Sequence, residues 1–307
     1  MTSKRFEFIR DHHGASQEGC NNGGISLYKD RETGNRVNLK NFSAESCTKG
    51  IAKREIRILA SLRHPNVTRL VDYQLSKHSA RAGMYLEYCD QGDLDLLIKR
   101  NRHSGKRVDE AYMWHIFESL AAAVQCCHEG PRSARGGGGG GGGWEWCIHR
   151  DIKPGNVLLS STTQDGVPLP RDHDFAFPRV VLADFGQAME RSRYEYEARR
   201  NPHEANLLND RIDRQCRTPE MPYYGVYTDI YQVGLVMYCL AHLVLDAGNT
   251  MERVPSSVFK GIARESVGRR YSEPLNRIVR RCLDMDPESR PSAGELLASI
   301  MRNRPRA

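Results

Sequence analysis

The spacing of apolar residues changes character once along this 307-residue chain, near residues 87–92, and that change restricts the fold more than any other feature. Before it, ISLYKDRETGNRVNLK over residues 25–40 gives two short strands about a polar turn, for which Thr33, Gly34 and Asn35 supply the turn chemistry. KREIRILASL then places Ile56, Leu59 and Ala60 on one helical face, and HPN at His64, Pro65 and Asn66 stops the helix because proline restricts the residue before it. Strands resume over residues 67–73 and 84–88. After Gly92 the spacing is helical, over residues 94–99 and 110–128, where Met113, Ile116, Phe117, Leu120 and Val124 form a stripe. The apolar run 233–245, interrupted by Gly234, Tyr238 and His242, reads as a further buried helix. The expected fold class is α+β, a small strand-rich half followed by a larger helical half.

Composition excludes several classes. A chain of 39% apolar and 27% charged residues is ordinary globular material, large enough to divide its core between two lobes. The net charge of +7 comes from 45 basic and 38 acidic residues scattered along the chain, without a basic stripe carrying interleaved aromatics, so no nucleic-acid partner is expected. Nine cysteines without CxxC spacing fit neither a disulfide framework nor a zinc cage, which points to reduced thiols in a cytoplasmic or nuclear compartment. The opening MTSKRFEFIRDHH lacks the apolar stretch of a signal peptide, and no window approaches the roughly 20 apolar residues that span a bilayer, so no membrane partner is expected. The low-complexity segment 130–143, with eight successive glycines, is expected to be a loop or disordered insertion, because nothing in it selects one backbone shape.

Two polar motifs sit between apolar stretches suited to strands: CIHRDIKPGNVLL over residues 147–159 and VVLADFG over residues 180–186. In order and separation they resemble the HRDxKxxN catalytic loop and the DFG metal loop of the eukaryotic protein kinases. The resemblance implies a two-lobed kinase-like fold as a single domain over residues 1–307. Its β-rich N-lobe would cover about 1–86, its hinge about 87–93, and its mainly helical C-lobe about 94–303 with the glycine-rich insertion at 130–143. It also implies ATP with Mg²⁺, or Mn²⁺, as cofactors and a protein substrate with a Ser or Thr acceptor.

By the same resemblance Asp184 and Asn156 hold the metal ions, Asp151 orients the acceptor hydroxyl and takes its proton, and Lys153 contacts the γ-phosphate. Lys40, in VNLK, matches the phosphate-contacting lysine, and Glu55 in KREIRIL matches its ion-pair partner; an exposed i,i+4 pair on its own helix is the other reading of Glu55. LEYCDQGDL over residues 86–94 resembles the hinge, with Leu86 as gatekeeper, backbone groups of Glu87 and Cys89 facing adenine, and Asp93 toward ribose. Ile25 and Leu158 would enclose the adenine ring. Glu220 of TPE and Arg290 would form a structural ion pair, Asp229 would accept bonds from the catalytic loop, and Leu59, Leu70, His149 and Phe185 match the apolar column joining the lobes. Lys153, two residues after Asp151, is the serine/threonine arrangement. Arg150 implies control by an anionic activation segment, for which Ser192, Tyr194 and Tyr196 are candidate acceptors.

Three departures bear on activity. Counting back from Lys40 puts Ile25 and Gly23 in the glycine loop but Cys20 and Glu18 at its first two glycines, and a register shifted by one recovers Gly19 and Gly24 while placing Ser26 against adenine. Asn38 stands where alanine usually faces the ring, and Asp213 falls where a threonine usually touches Asp151 and Lys153. An active kinase and a nucleotide-sensing scaffold of the same fold therefore both remain open. Glycines let backbone N–H groups approach phosphate oxygens without an intervening Cβ. Glu18→Gly combined with Cys20→Gly is accordingly expected to tighten nucleotide binding measured by calorimetry, and unchanged or weaker affinity counts against the first register.

Overall fold

The structure, a computed structural model, describes residues 5–11, 22–76, 82–130, 144–169, 177–192, 216–221, 223–247 and 254–305. Glu18, Cys20, Tyr194, Tyr196, Asp213 and all but the first residue of the 130–143 segment lie outside them. The N-terminal half is a five-stranded antiparallel sheet of β1 (Phe6–Asp11), β2 (Asn22–Asp30), β3 (Arg36–Phe42), β4 (Leu70–Leu75) and β5 (Ala82–Glu87), in the order β1-β2-β3-β5-β4. The turn expected at residues 31–35 joins β2 to β3, with Gly34 at φ +78°. Two helices intervene before β4: α1 (Ala44–Thr48) and α2 (Ile51–Ser61).

Strand alternation gives the sheet two unlike faces. On the outer face Tyr28, Val37 and Tyr85 pack with Phe6 of β1, which stacks on Tyr85 at 3.8 Å between ring centroids. On the inner face Lys40 and Asn38 of β3 lie opposite Met84 and Leu86 of β5, and Met84 belongs to the main core. A bulge between Asn22 and Ile25, with Gly24 at φ +110°, brings Ile25 opposite Lys40. Residues directly opposite in an antiparallel pair share a face. Ser26 consequently points outward, where its hydroxyl donates to Asp11 Oδ1 at 2.6 Å.

The C-terminal half is mainly helical: α3 (Leu94–Ser104), α4 (Glu110–Glu129), α5 (Val226–His242), α6 (Ser256–Glu265), α7 (Glu273–Cys282) and α8 (Ala293–Asn303). Met113, Ile116, Phe117, Leu120 and Val124 of α4 are fully buried, as their helical spacing requires. Short strands β6 (Cys147–Ile148), β7 (Val157–Ser160), β8 (Arg179–Leu182) and β9 (Met189–Glu190) pair as β6-β9 and β7-β8 on the side facing the sheet. The result is the two-lobed α+β fold expected from sequence. The run expected to be helical to residue 245 ends at His242, because Leu243 adopts φ +53° and closes the helix.

The strand expected from residue 67 begins only at Leu70. The preceding residues turn their backbone bonds to the other lobe: Thr68 N–H donates to Leu182 O at 2.9 Å and Leu182 N–H to Asn66 O at 2.8 Å. A second bridge crosses beside the hinge, where the β7–β8 connection reaches upward. Gln164 Nε2 donates to His64 O (2.7 Å) and Val67 O (2.9 Å), and Asn35 Nδ2 donates to Asp165 O at 2.8 Å. At its base Arg179 of β8 pairs with the buried Glu87 carboxylate and donates to Thr162 O and Pro65 O. Removing one partner of a buried pair leaves a charge without compensation. Arg179→Met is therefore expected to destabilise the protein by about 3–5 kcal/mol in urea unfolding, and adding Glu87→Gln should recover part of that loss.

Candidate active site

The cleft between the lobes is organised by one lysine. Lys40 Nζ lies 2.8 Å from Glu55 Oε1 on α2 and 2.7 Å from Asp184 Oδ1, with the lysine and Glu55 side chains only 4% and 0% exposed. The exposed-pair reading of Glu55 is thereby excluded. Burial pushes the Lys40 ammonium down, but the Asp184 and Glu55 carboxylates outweigh it and hold its pKa above the ordinary value. Burial likewise opposes ionisation of Asp184, yet Lys40 brings it down to about 2. Glu55 is raised, because burial and the Asp184 charge exceed what its share of Lys40 returns.

The catalytic-loop segment is held from below by α5. Asp229 accepts from His149 N–H (2.8 Å), Arg150 N–H (2.8 Å) and His128 Nε2 (2.9 Å), and burial is outweighed by the His128 bond so that its pKa lies low. Gln232, one turn on, accepts from Ile152 N–H and donates to Arg150 O and Cys216 O. This scaffold sets Asp151 and Asn156: the Asn156 amide donates to both Asp151 O and Asp151 Oδ2 at 2.8 Å. Lys153 Nζ is 3.7 Å from Asp151 Oδ1. Burial raises the Asp151 pKa against the opposing Lys153 charge, which makes the carboxylate a better proton acceptor than a surface aspartate.

Asp184 sits at φ +60° as the cap of the turn Phe185–Gln187, accepting from Gly186 N–H, and its side chain remains 36% exposed to the cleft. The column residues meet as expected of neighbours in a core: Leu59, His149 and Phe185 are buried, Leu70 packs against the same cluster, and His149 and Phe185 stand edge to face at 4.6 Å. Ile25, Asn38 and Leu86 of the sheet and Leu158 of β7 are each only partly buried.

The hinge residues also make contacts of their own. Glu87 N–H donates to Arg69 O and its carboxylate faces Arg179; Cys89 is buried beside it. Asp93 serves as the N-cap of α3, accepting from Leu96 N–H at 2.8 Å. Gly23 lies in β2 within the bulge. Arg150 is 1% exposed, with Nε donating to Gln187 O at 2.8 Å and the guanidinium 5.5 Å from the Tyr224 ring. Glu220 and Arg290 form a bidentate pair at 2.8 and 2.9 Å.

The side chain touching Asp151 from the segment before TPE is Cys216, whose Sγ donates to Asp151 Oδ1 at 3.1 Å. Asp213, expected to stand near Asp151, lies outside the described residues. Gln232 grips the Cys216 carbonyl and so fixes where the chain passes the carboxylate. Cys216, Gln232, His128, and the arginines of α2 were all missed. For Gln232 a signal existed, since it follows Asp229 by three residues on one helical face.

The chain matches the family model for the protein kinase domain over residues 19–300. It is 26% identical over 283 residues to a probable serine/threonine-protein kinase nek2 of Dictyostelium discoideum, covering 90% of this chain and 58% of that protein. It is also 26% identical to human serine/threonine-protein kinase Nek2, over 79% of this chain and 48% of that protein. For the G2-specific protein kinase nimA of Emericella nidulans the identity is 26%, over 79% of this chain and 33% of that protein. The chain belongs to the protein kinase family. It spans roughly half the length, or less, of these relatives.

Lys40→Met would leave the buried Glu55 carboxylate without its cation. A carboxyl held neutral by burial costs stability only above its unfolded pKa, so the deficit should grow as pH rises. Thermal unfolding is expected to show a loss of about 3–5 kcal/mol at pH 8 and a smaller one at pH 5.

Proposed function

We propose that this chain is an active serine/threonine protein kinase that transfers the γ-phosphoryl group of ATP to a protein hydroxyl. The observation that carries the reading is Lys40 paired with both Glu55 and Asp184, which brings a cation from the sheet and a carboxylate from the helical lobe to one point in the cleft. Phosphoryl transfer demands little covalent chemistry and much charge placement, and this arrangement supplies fixed charge.

The donor set suits a hard divalent cation. Asp184 offers a carboxylate held ionised at neutral pH, and both Nδ2 bonds of Asn156 go to Asp151, which leaves the Asn156 amide oxygen as its ligand atom. Mg²⁺ or Mn²⁺ with ATP supplies, when bound, the phosphoryl group and the cation that neutralises its charge. Lys40 grips phosphate oxygens while Glu55 keeps its head from swinging. Ile25, Leu86 and Leu158 enclose the base, the Glu87 carbonyl and the Cys89 backbone face its edge, and Asp93 presents to the ribose whatever its capping bond leaves available. Gly23 belongs to the loop above the phosphates.

Asp151 would take the proton of the acceptor hydroxyl as its oxygen bonds to the γ-phosphorus and the bond from that phosphorus to the bridging oxygen breaks, ADP leaving, while Lys153 beside it would steady the transferring oxygens. Its place two residues after Asp151 favours Ser and Thr acceptors. The eight described cysteines are free thiols, which supports a reducing cytoplasmic or nuclear setting. Among the described residues no helix is long and apolar enough to cross a membrane.

A scaffold that senses nucleotide without much catalysis is the second reading, favoured by Asn38, which shares the cleft face with Lys40 and opposes Leu86. An amide there must be desolvated against the adenine ring.

Transfer of labelled γ-phosphate to casein in Mg²⁺ or Mn²⁺ separates the two. Activity that falls about 100-fold or more in Lys40→Met and Asp151→Asn is expected for a kinase. Folded wild-type protein that transfers nothing, yet gains thermal stability with ATP, establishes the scaffold instead.

A further inference from the structure

Helix α2 carries Glu55, and its position decides whether the Lys40 pair exists. Two further arginines of the same helix reach the segment that follows Asp184. Arg54, 5% exposed, donates from Nη2 to Gly186 O at 3.2 Å. Arg57 engages the Glu190 carboxylate with both Nε, at 3.0 Å, and Nη2.

Glu190 is itself firmly placed. It lies in β9, paired with Cys147 of β6 two residues before His149, and the next residue donates from Arg191 N–H to Trp146 O at 3.0 Å. Its side chain is only 11% exposed, whereas Arg57 is 58% exposed. A nearly buried carboxylate has strong need of its partner, and a planar guanidinium meeting both its oxygens fixes direction as well as distance. The helix thus meets the Asp184 turn at three successive depths: Glu55 through Lys40 to Asp184, Arg54 at Gly186 and Arg57 at Glu190.

A negative group offered by the segment to a basic residue of this helix is what a phosphate would provide after modification. Here a carboxylate already present in the chain occupies that place. We propose that Arg57 and Glu190 are positioning residues that hold α2 inward, so that the Lys40–Glu55 pair assembles without phosphorylation of the segment after Asp184. The inference rests on the phosphotransfer reading and adds to it a regulatory property of this chain.

The test uses the full chain, phosphatase-treated and then freed of phosphatase, with casein as acceptor. The untreated and treated proteins should be equally active. Arg57→Ala and Glu190→Ala should each lower kcat/KM for ATP about tenfold, and the exchanged pair Arg57→Glu with Glu190→Arg should regain most of that loss, a rescue that a merely structural role for either residue would not produce. Thermal unfolding supplies a readout independent of turnover: Arg57→Ala should lower Tm in the wild-type background and leave it unchanged in Glu190→Ala. Loss of activity on phosphatase treatment, full activity of Arg57→Ala, or failure of the exchanged pair overturns the inference. A wild-type chain that transfers no phosphate sinks the kinase reading, and the Tm cycle then decides the clamp alone, with additive losses overturning it.

Discussion

A buried ammonium shared by two carboxylates that come from opposite sides of a cleft is the constraint on which the remaining geometry depends. Lys40 projects from the middle of β3, Glu55 from α2, and Asp184 from the turn after β8. Each of these three is nearly useless alone: a lysine in apolar surroundings tends to lose its proton, and an isolated buried carboxylate tends to gain one. Held together they preserve two charges in a place where phosphate chemistry can use them. Sheet, helix and DFG turn must therefore arrive in one relative position, and the bonds from Thr68 and Asn66 to Leu182, together with the Gln164 and Arg179 contacts beside the hinge, hold the lobes where that happens.

The floor of the cleft follows a different rule. Its polar backbone is irregular, so its N–H and C=O groups lack ladder partners and require side chains to satisfy them. Asp229 and Gln232, both on the buried helix α5, take over that task for residues 149–152. A helix is stiff, and side chains one turn apart on it share a face, so two residues can fix a loop that would otherwise have many conformations. Cys216 is drawn into the same network through its carbonyl, which ties the segment before Glu220 to the carboxylate of Asp151.

Much of this was legible in the sequence. The hairpin about Gly34, the burial of Ile56 and Leu59 on α2, the buried face of α4 and the polarity of the two motifs all follow from local periodicity and turn chemistry, which operate over a few residues; Ala60, expected on the same α2 face, is exposed, and Ile58 is buried instead. The correspondence of Lys40 and Glu55, of Glu220 and Arg290, and of Asp229 with the catalytic loop came through resemblance, because nothing in the spacing of residues 15, 70 or 80 apart announces a contact. Where expectation slipped, a distant partner had intervened. Val67 and its neighbours left the sheet to bond Leu182.

The sequence by itself determined the class of elements, their order and the chemical types gathered in the cleft, since those depend on side-chain period and on which residues carry charge. Only the tertiary structure decided which face Ile25 and Ser26 take, through a bulge at Gly24, and that Arg57 meets Glu190 across 133 residues of chain. Both outcomes depend on register and on packing between remote segments, which the order of residues does not display until the chain has closed on itself.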